Sequence, residues 1–429
     1  MGLSVRIRSH LHYLTLLVLA VSLSCFSGPT SHLQQQVDFL MVRQGIIKVG
    51  LGQWDNLLRL RAEGPWTIEN EVGAKLSLSA ADECTVDQRN ANVIAVSSPA
   101  GRISGHVITV QCPSGRLIVG KRRYCGSLVF EQGIKVANLI FLEDYLRGVL
   151  AAEMGDAPLE ALKAQAIVAR SEVVHKLLLR RHKAEGFDLC ATEHCMAYRG
   201  DADVTPAMRC ACEETRGQVL LADGQVLDAV FHTCCGGITA GAEDVWDSAP
   251  IPGLQPVWDQ PYVAKPAFFS TEDDVVRFLM SPPGDSYCSS DHALYPEYAR
   301  KYFRWSKSYS WRELEQIAGV GHLKDIRIAE RRPSGRVRKL LFDGDRGTRV
   351  VEKELPIRRL LDLPSGLFVI KILRNSRGEP ESVEFYGAGS GHGVGLCQMG
   401  AWTMAQKGAT CSQILKHYFP RATLAQLYR

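Results

Sequence analysis

The stretch that decides the fold is LEDYLRGVLAAEMGDAPLEALKAQAIVARS, residues 142–171. Apolar residues recur at helical spacing in each half, which predicts two amphipathic helices. Gly155 interrupts the pattern, and Pro158 stands where the first turn of a helix tolerates proline. Glu153 is therefore predicted at a corner between two helices, where partial burial raises a carboxyl pKa toward that of a general acid. The ordinary alternative is a solvated glutamate in a loop.

This stretch resembles the signature of the SpoIID/LytB family. In the transglycosylase members of that family the glutamate of the A-E-M element is the catalytic acid, and it falls here on Glu153. The arginine that closes the Q-A-x-x-A-R element is a second functional residue, and it falls here on Arg170. Two further blocks in the family's order, at 231–246 and 387–418, extend the resemblance from about residue 45 to the end.

The resemblance implies an α+β fold, with a SpoIID-like core of helices packed on a mainly antiparallel sheet. The predicted organisation, in chain order, is a signal peptide at 1–24, a β-rich N-terminal region at 45–120, the first part of the catalytic core at 121–265, an inserted second α+β lobe at 266–375 and the core completion, with the G-H-G-V-G element and terminal helix, at 376–429. Within the core, Asp223-Gly224 predicts a hairpin with a type I′ turn.

The motifs contain one outstanding carboxylate, whereas cleavage of a glycosidic bond normally takes two. This favours a lytic transglycosylase, in which the substrate supplies the nucleophile. One side chain protonates the oxygen between N-acetylmuramic acid and N-acetylglucosamine, then removes the proton of the muramyl C6 hydroxyl to close a 1,6-anhydro ring. The predicted partners are peptidoglycan glycan strands, with a cell-wall amidase or other wall hydrolases in addition. The alternative is a non-catalytic wall-binding or amidase-enhancing module.

A second constellation places two histidines and two thiols in one polar loop: His182, Cys190, His194 and Cys195. Zinc takes four nitrogen and sulfur ligands tetrahedrally, and such mixed sets are typical of structural sites. Some sporulation members of the family carry a structural zinc in this loop, so the resemblance implies the same here and no other cofactor. The alternative is a disulfide involving Cys190 or Cys195, with solvated histidines.

The block FHTCCGGITAGAEDVW, residues 231–246, resembles the family's S-x-S-G-G-x-T element. Gly236 and Gly237 suit close approach of a sugar chain to the backbone, and Trp246 suits stacking on a sugar ring. A tight turn and a core tryptophan are the alternative. The other predicted substrate contacts are Tyr198, His392 and Gln398.

Cysteines replace the family's hydroxyl residues at Cys234, Cys235 and Cys397. Disulfide bonds are one interpretation, although their connectivity is not encoded in the spacing. If the thiols are free, Cys397 and His392 offer a nucleophile and base, but no orienting acid is evident. That arrangement is the thiol-hydrolase alternative.

Composition and leader describe an exported globular protein. Of its 429 residues, 46% are hydrophobic and 22% charged, and two arginines precede a short apolar run at 14–23, which is typical of a secretory signal peptide. The predicted location is therefore the periplasm, cell envelope or exterior, with a lipid anchor at Cys25 as the less favoured variant. No later stretch predicts a transmembrane span. The net charge of +4 suits an anionic wall polymer, while the lack of a basic stripe with aromatics argues against nucleic acid.

Overall fold

The computed structural model describes residues 45–53, 57–90, 93–131, 135–261, 269–292 and 295–428. The predicted signal peptide and Cys25 lie outside this part of the chain. Among the described helices, none combines the length and the apolar character needed to cross a bilayer.

Short strands separated by polar and glycine-containing turns build two sheets before the first helix. In chain order they are β1 (Ile46–Gln53), β2 (Leu58–Ala62), β3 (Trp66–Asn70), β4 (Lys75–Leu78), β5 (Cys84–Asn90), β6 (Val93–Ser98), β7 (Gly101–Gly105), β8 (Ile108–Gln111), β9 (Leu117–Val119), β10 (Arg122–Tyr124), β11 (Ser127–Glu131), β12 (Lys135–Phe141) and the later β13 (Leu189–Cys190). One sheet has the order β13-β1-β12-β11-β8-β3-β4, and the other β10-β9-β2-β5-β6-β7. Neighbouring strands run antiparallel, except that β13 lies parallel to β1.

The helices follow the last long strand of the first sheet. They are α1 (Leu142–Glu153), α2 (Leu159–Leu179), α3 (Pro206–Glu214), α4 (Ala242–Val245), α5 (Glu272–Met280), α6 (Arg300–Phe303, preceded by a 3-10 turn at Glu297–Ala299), α7 (Trp311–Ala318), α8 (Glu354–Leu361), α9 (Gln398–Gln406) and α10 (Cys411–Tyr418). Helix α2 is central, because α1, α3, α9 and α10 all pack against it. Its alanines permit this, since Ala164, Ala166 and Ala169 are fully buried.

The remaining strands form small sheets. They are β14 (Gln218–Ala222), β15 (Gln225–Val226), β16 (Phe231–His232), β17 (Trp305–Ser310), β18 (Leu323–Arg331), β19 (Val337–Gly344), β20 (Gly347–Glu352), β21 (Phe368–Arg374), β22 (Pro380–Gly387), β23 (Leu396–Cys397) and β24 (Thr423–Gln426). The predicted hairpin is confirmed as β14–β15, and Asp223 and Gly224 both have positive φ, as a type I′ turn requires.

The segment from Trp305 to Gly387 has its own hydrophobic core. Antiparallel sheets β17-β22-β21 and β18-β19-β20 pack with α7 and α8 around buried residues that include Leu314, Phe342 and Phe385. The predicted α+β class is confirmed, with sheets that are mainly antiparallel. The predicted domain boundaries stay a prediction.

Candidate active site

Glu153 is the last residue of α1, at the turn into α2. The N–H of Met154 still bonds to the carbonyl of Leu150, and Gly155, with φ of 51°, then reverses the chain. Pro158 caps the start of α2. The two helices therefore meet at a corner that leaves the Glu153 side chain half-buried.

Two groups from distant segments hold the Glu153 carboxyl. The backbone N–H of Ala197 donates to Oε1 at 3.1 Å. Nε2 of Gln398 lies 3.5 Å from Oε2 and 3.4 Å from the backbone oxygen of Glu153. Burial raises the pKa of Glu153, and these two donors offset part of that rise. The carboxyl is thus tuned in the direction that an acid near neutral pH requires.

Two exposed charges flank this carboxyl. Glu193 raises the pKa of Glu153, and Arg199 lowers it. Both side chains belong to the segment that carries Ala197. Sequence reasoning missed these neighbours, because a backbone donor and two ordinary surface charges carry no motif.

Arg170 lies on α2, away from Glu153, and its fully buried side chain reaches α1. Its Nε and Nη2 donate to Oε1 and Oε2 of Glu143 at 2.9 and 2.7 Å, and Nη1 donates to the carbonyl of Gln218 at 3.1 Å. Glu143 is itself 6% exposed. No hydrogen bond joins Arg170 to Glu153 in the described chain, so the geometry assigns this arginine to positioning the helices, and its catalytic role stays a prediction.

The predicted metal ligands converge in the loop that follows α2. Nε2 of His182 is 3.2 Å from Sγ of Cys195, and Nδ1 of His194 is 3.7 and 3.8 Å from the sulfurs of Cys190 and Cys195. All four ligand atoms lie within 4.8 Å of one another, and both cysteines are free thiols. With zinc bonds of about 2.0 Å to nitrogen and 2.3 Å to sulfur, N···S separations of about 3.5 Å are expected, so this donor set fits zinc.

Outer groups hold this loop in place. Oε1 of Glu185 lies 3.4 Å from Nδ1 of His182, where a carboxylate commonly orients a metal-binding histidine. Nζ of Lys176, on α2, donates to the carbonyl of Cys195 at 2.8 Å and pairs with the buried Glu172. Lys176 therefore holds the loop at Cys195, two residues before Ala197, whose N–H donates to Glu153.

Three of the predicted substrate contacts are buried against protein. Tyr198 is 1% exposed and donates to Oδ1 of Asn138 at 2.8 Å. A Cβ at Gly236 would lie 2.7 Å from that of Ala388, and one at Gly237 would lie 3.0 Å from Phe278. These glycines permit close approach, but of the protein's own chain, so we leave Tyr198, Gly236 and Gly237 out of the proposed substrate surface.

The other three predicted contacts lie in more open positions or next to Glu153. Trp246 is 39% exposed, and its ring stacks at a tilt on His392, with centroids 5.2 Å apart. Burial and the neighbouring His232 hold the pKa of His392 well below its ordinary value, so this histidine is neutral. Gln398 is buried but reaches Glu153, which makes it a positioning group for the carboxyl.

Cys397 does not pair with His392. Its Sγ lies among the buried thiols of Cys235 and Cys288 and the carboxylate of Asp259. Nδ1 of His392 instead accepts the N–H of Val394 at 3.0 Å. The geometry therefore gives no Cys397–His392 pair for the thiol-hydrolase alternative in the described chain.

Comparison with known proteins yields matches over most of the described chain. A family model described as Stage II sporulation protein matches residues 130–221, which include the corner and the histidine–cysteine loop. A second model, described as a domain of unknown function, matches residues 240–395.

Three relatives illustrate the similarity. An uncharacterized protein of Brachyspira hyodysenteriae is 29% identical over 305 residues, which cover 69% of this chain and 70% of the relative. Stage II sporulation protein D of Bacillus subtilis is 27% identical over 306 residues, 66% of this chain and 74% of the relative. The amidase enhancer of Bacillus subtilis is 25% identical over 295 residues, which cover 65% of this chain but 40% of that longer protein.

Proposed function

This chain belongs to the SpoIID/LytB family, and from that premise we propose that it is an exported peptidoglycan lytic transglycosylase with Glu153 as its general acid and base. Family membership supports a cell-wall-related function. The observation that carries the proposed reaction is the Glu153 carboxyl, which is half-buried at the helix corner and has a raised pKa.

In the first step Glu153 is the acid. Ala197 fixes Oε1 as a hydrogen-bond acceptor, so the proton is held on Oε2, whose contact with Gln398 is long at 3.5 Å. That proton passes to the bridging oxygen between N-acetylmuramic acid and N-acetylglucosamine as the bond to muramyl C1 breaks.

In the second step the Glu153 carboxylate is the base. It takes the proton of the muramyl C6 hydroxyl as O6 bonds to C1, which closes the 1,6-anhydro ring and restores the acid. The N–H of Ala197 and the amide of Gln398 stabilise the carboxylate between the two steps. One carboxyl therefore completes the cycle without a second catalytic carboxylate.

We propose that the loop of His182, Cys190, His194 and Cys195 binds a structural zinc ion. The four ligand atoms leave no position for water or substrate on a tetrahedral ion, which is the mark of a structural site. When bound, the metal crosslinks the segment that presents the Ala197 N–H, and so keeps the carboxyl oriented.

Trp246 and the neutral His392 offer an apolar stacking surface for a sugar ring. We propose that a glycan strand lies across this pair, since Gln398 follows His392 in the chain by six residues and contacts Glu153. This pair contacts the face of a sugar ring and adds no charge of its own to the surface.

The test is digestion of glycan strands stripped of their stem peptides, followed by mass spectrometry. The purified protein should release anhydromuramyl ends, and Glu153→Gln should release none while keeping its fold and metal content. Release of reducing ends would indicate hydrolysis instead. Equal release of anhydro products by Glu153→Gln would refute the assignment of the acid.

The second candidate function is a non-catalytic module that binds wall or stimulates an amidase, which the similarity to the amidase enhancer favours. In that case the protein should sediment with peptidoglycan and accelerate a purified wall amidase equally well as wild type and as Glu153→Gln. The raised pKa of Glu153 favours the enzyme, because a binding surface has no need of a proton donor.

A further inference from the structure

A second cluster of side chains that can bind a metal ion lies deep in the protein, outside the loop of His182 and Cys195. It joins four segments that are far apart in the sequence: Cys235 after β16, Asp259 before α5, Cys288 after α5 and Cys397 at the end of β23. All four side chains are 0% exposed. Their ligand atoms lie within 4.8 Å of one another. We call this set the buried thiol cluster.

The spacing within the buried thiol cluster fits one tetrahedral ion. The sulfurs of Cys235 and Cys288 are 3.5 Å apart. A disulfide needs about 2.05 Å. Thiolates on one zinc, with bonds of about 2.3 Å, lie about 3.8 Å apart. Three thiolates and one carboxylate are also a donor set that favours zinc over magnesium, calcium or manganese.

Backbone N–H groups point at the sulfur atoms. Cys397 is the N-cap of α9, and its Sγ accepts from the N–H of Gly400 at 3.4 Å and of Cys235 at 3.2 Å. Sγ of Cys235 accepts from the N–H of Gly237 at 3.4 Å. Such donors and the positive end of a helix stabilise a thiolate, which is the form that binds metal.

Asp259 is oriented by its own hydrogen bonds. The N–H of Cys288 donates to Oδ2 at 2.8 Å, and the hydroxyl of Tyr418 donates to Oδ1 at 2.5 Å. Nε2 of His417 lies 3.9 Å from Oδ1. Metal-binding carboxylates are commonly held in this way, and each oxygen keeps a lone pair for an ion.

Two arginines beside the cluster have no carboxylate partner in the part of the chain that the structure describes. Arg336 is 0% exposed, donates to the carbonyls of Cys235 and Ile238 at 3.3 and 3.4 Å, and has an unpaired Nε. Arg304 donates to the carbonyl of Gly236 at 2.9 Å. Glu354 and Asp244 offset part of the charge of Arg336 without forming an ion pair with it. Zinc with three thiolates and a carboxylate has a formal charge of roughly −2, which adds a counter-charge for both arginines.

We propose that the buried thiol cluster binds a second structural zinc ion, with the ligands Cys235, Cys288, Cys397 and Asp259. This site crosslinks β16 and β23 to the segment after α5. Cys397 directly precedes Gln398, the side chain that contacts Glu153. The ion therefore fixes the start of α9 and, through it, one of the two donors to the carboxyl. The proposal does not depend on the reaction catalysed.

Metal analysis by inductively coupled plasma mass spectrometry, on the full chain purified with and without a reductant, tests the proposal. Wild type should hold about two zinc ions per chain, while Cys288→Ser and Asp259→Asn each hold about one. His194→Ala, which changes the exposed loop only, should also hold about one. Combined with Cys288→Ser it should hold none. Cys84→Ser is the matched control, because Cys84 is equally buried but lies in the six-stranded sheet; it should keep both ions.

A spectroscopic measurement on His194→Ala leaves all four ligands of the buried thiol cluster in place, so it does not depend on the folding of variants of that cluster. Cobalt substituted into His194→Ala should give the charge-transfer absorption of a thiolate-rich tetrahedral site. A wild-type content of one zinc, lost completely in His194→Ala, would overturn the proposal. So would alkylation and peptide mapping that find Cys235 and Cys288 joined as a disulfide in protein purified with reductant.

Discussion

Glu143→Gln should destabilise the fold strongly without touching the proposed site. The change keeps the side-chain shape but replaces one carboxylate oxygen with an N–H₂ group that faces the donors of Arg170. Glu143 also accepts from the N–H of Gly217 at 3.3 Å and from the hydroxyl of Tyr428 at 2.6 Å. The variant therefore leaves a buried guanidinium without its counter-charge and sets donor against donor.

The magnitude follows from the burial of the pair. Side-chain exposures are 0% for Arg170 and 8% for Glu143, and a buried pair broken on one side costs about 3–5 kcal/mol. With an m value of about 3 kcal/mol per M, the urea midpoint should fall by roughly 1 to 1.7 M. Asp144→Asn is the matched control on the same helix. Its pair with Arg147 is partly exposed, so its loss should cost less than about 1 kcal/mol.

The pH dependence supplies an independent check. Burial alone would raise the pKa of Glu143, but the hydrogen bonds and charge of Arg170 outweigh it, so the pKa in the folded state is lowered. A lowered folded-state pKa gives stability that is present above the unfolded-state value and is lost as the pH falls through the folded-state value. The difference in urea midpoint between wild type and Glu143→Gln should therefore become smaller as the pH is lowered into the acid range. Equal midpoints for Glu143→Gln and Asp144→Asn at pH 7, or a gap that stays constant into acid, would refute the reasoning.

Three further predictions concern the site itself. Gln398→Ala removes a donor to the carboxylate, so the pKa of Glu153 should rise and the alkaline limb of the rate–pH profile should move to higher pH. The kcat should fall about tenfold, which corresponds to a lost contact of ~1.4 kcal/mol. Glu193→Gln removes a negative neighbour, so the same limb should move to lower pH, with anhydromuramyl products unchanged by mass spectrometry. Trp246→Ala should raise KM for glycan strands several-fold and leave kcat nearly unchanged, for a lost stacking contact of ~1 kcal/mol, measured by initial rates.

Local features of the fold were predictable from short patterns. The corner after Glu153 follows from Gly155, which adopts a positive φ without steric cost, and from Pro158, whose ring fixes φ. The turn at Asp223-Gly224 follows for the same reason. Such signals depend on neighbours in the sequence, so a single chain is enough to find them.

Contacts between distant segments were not predictable. Arg170 carried a family motif, yet its partner Glu143 is fixed only by the crossing of α1 and α2. Ala197 contributes a backbone N–H, which every residue except proline has. Cys288 lies 53 residues from Cys235, in a segment without any motif, so the buried thiol cluster emerges only from tertiary structure.

The loop of His182, Cys190, His194 and Cys195 and the buried thiol cluster each position one of the two donors to Glu153. Each donor to the carboxyl sits next to a ligand of one cluster: Ala197 follows Cys195 by two residues, and Gln398 follows Cys397 by one. The strands that precede them, β13 and β23, contain two residues each and hold their segments by few backbone hydrogen bonds. A metal ion at each cluster would supply the rigidity that these strands lack. Loss of either ion should therefore shift the pKa of Glu153 upward, since each loosens a donor to its carboxylate, and loss of both should shift it further than either alone.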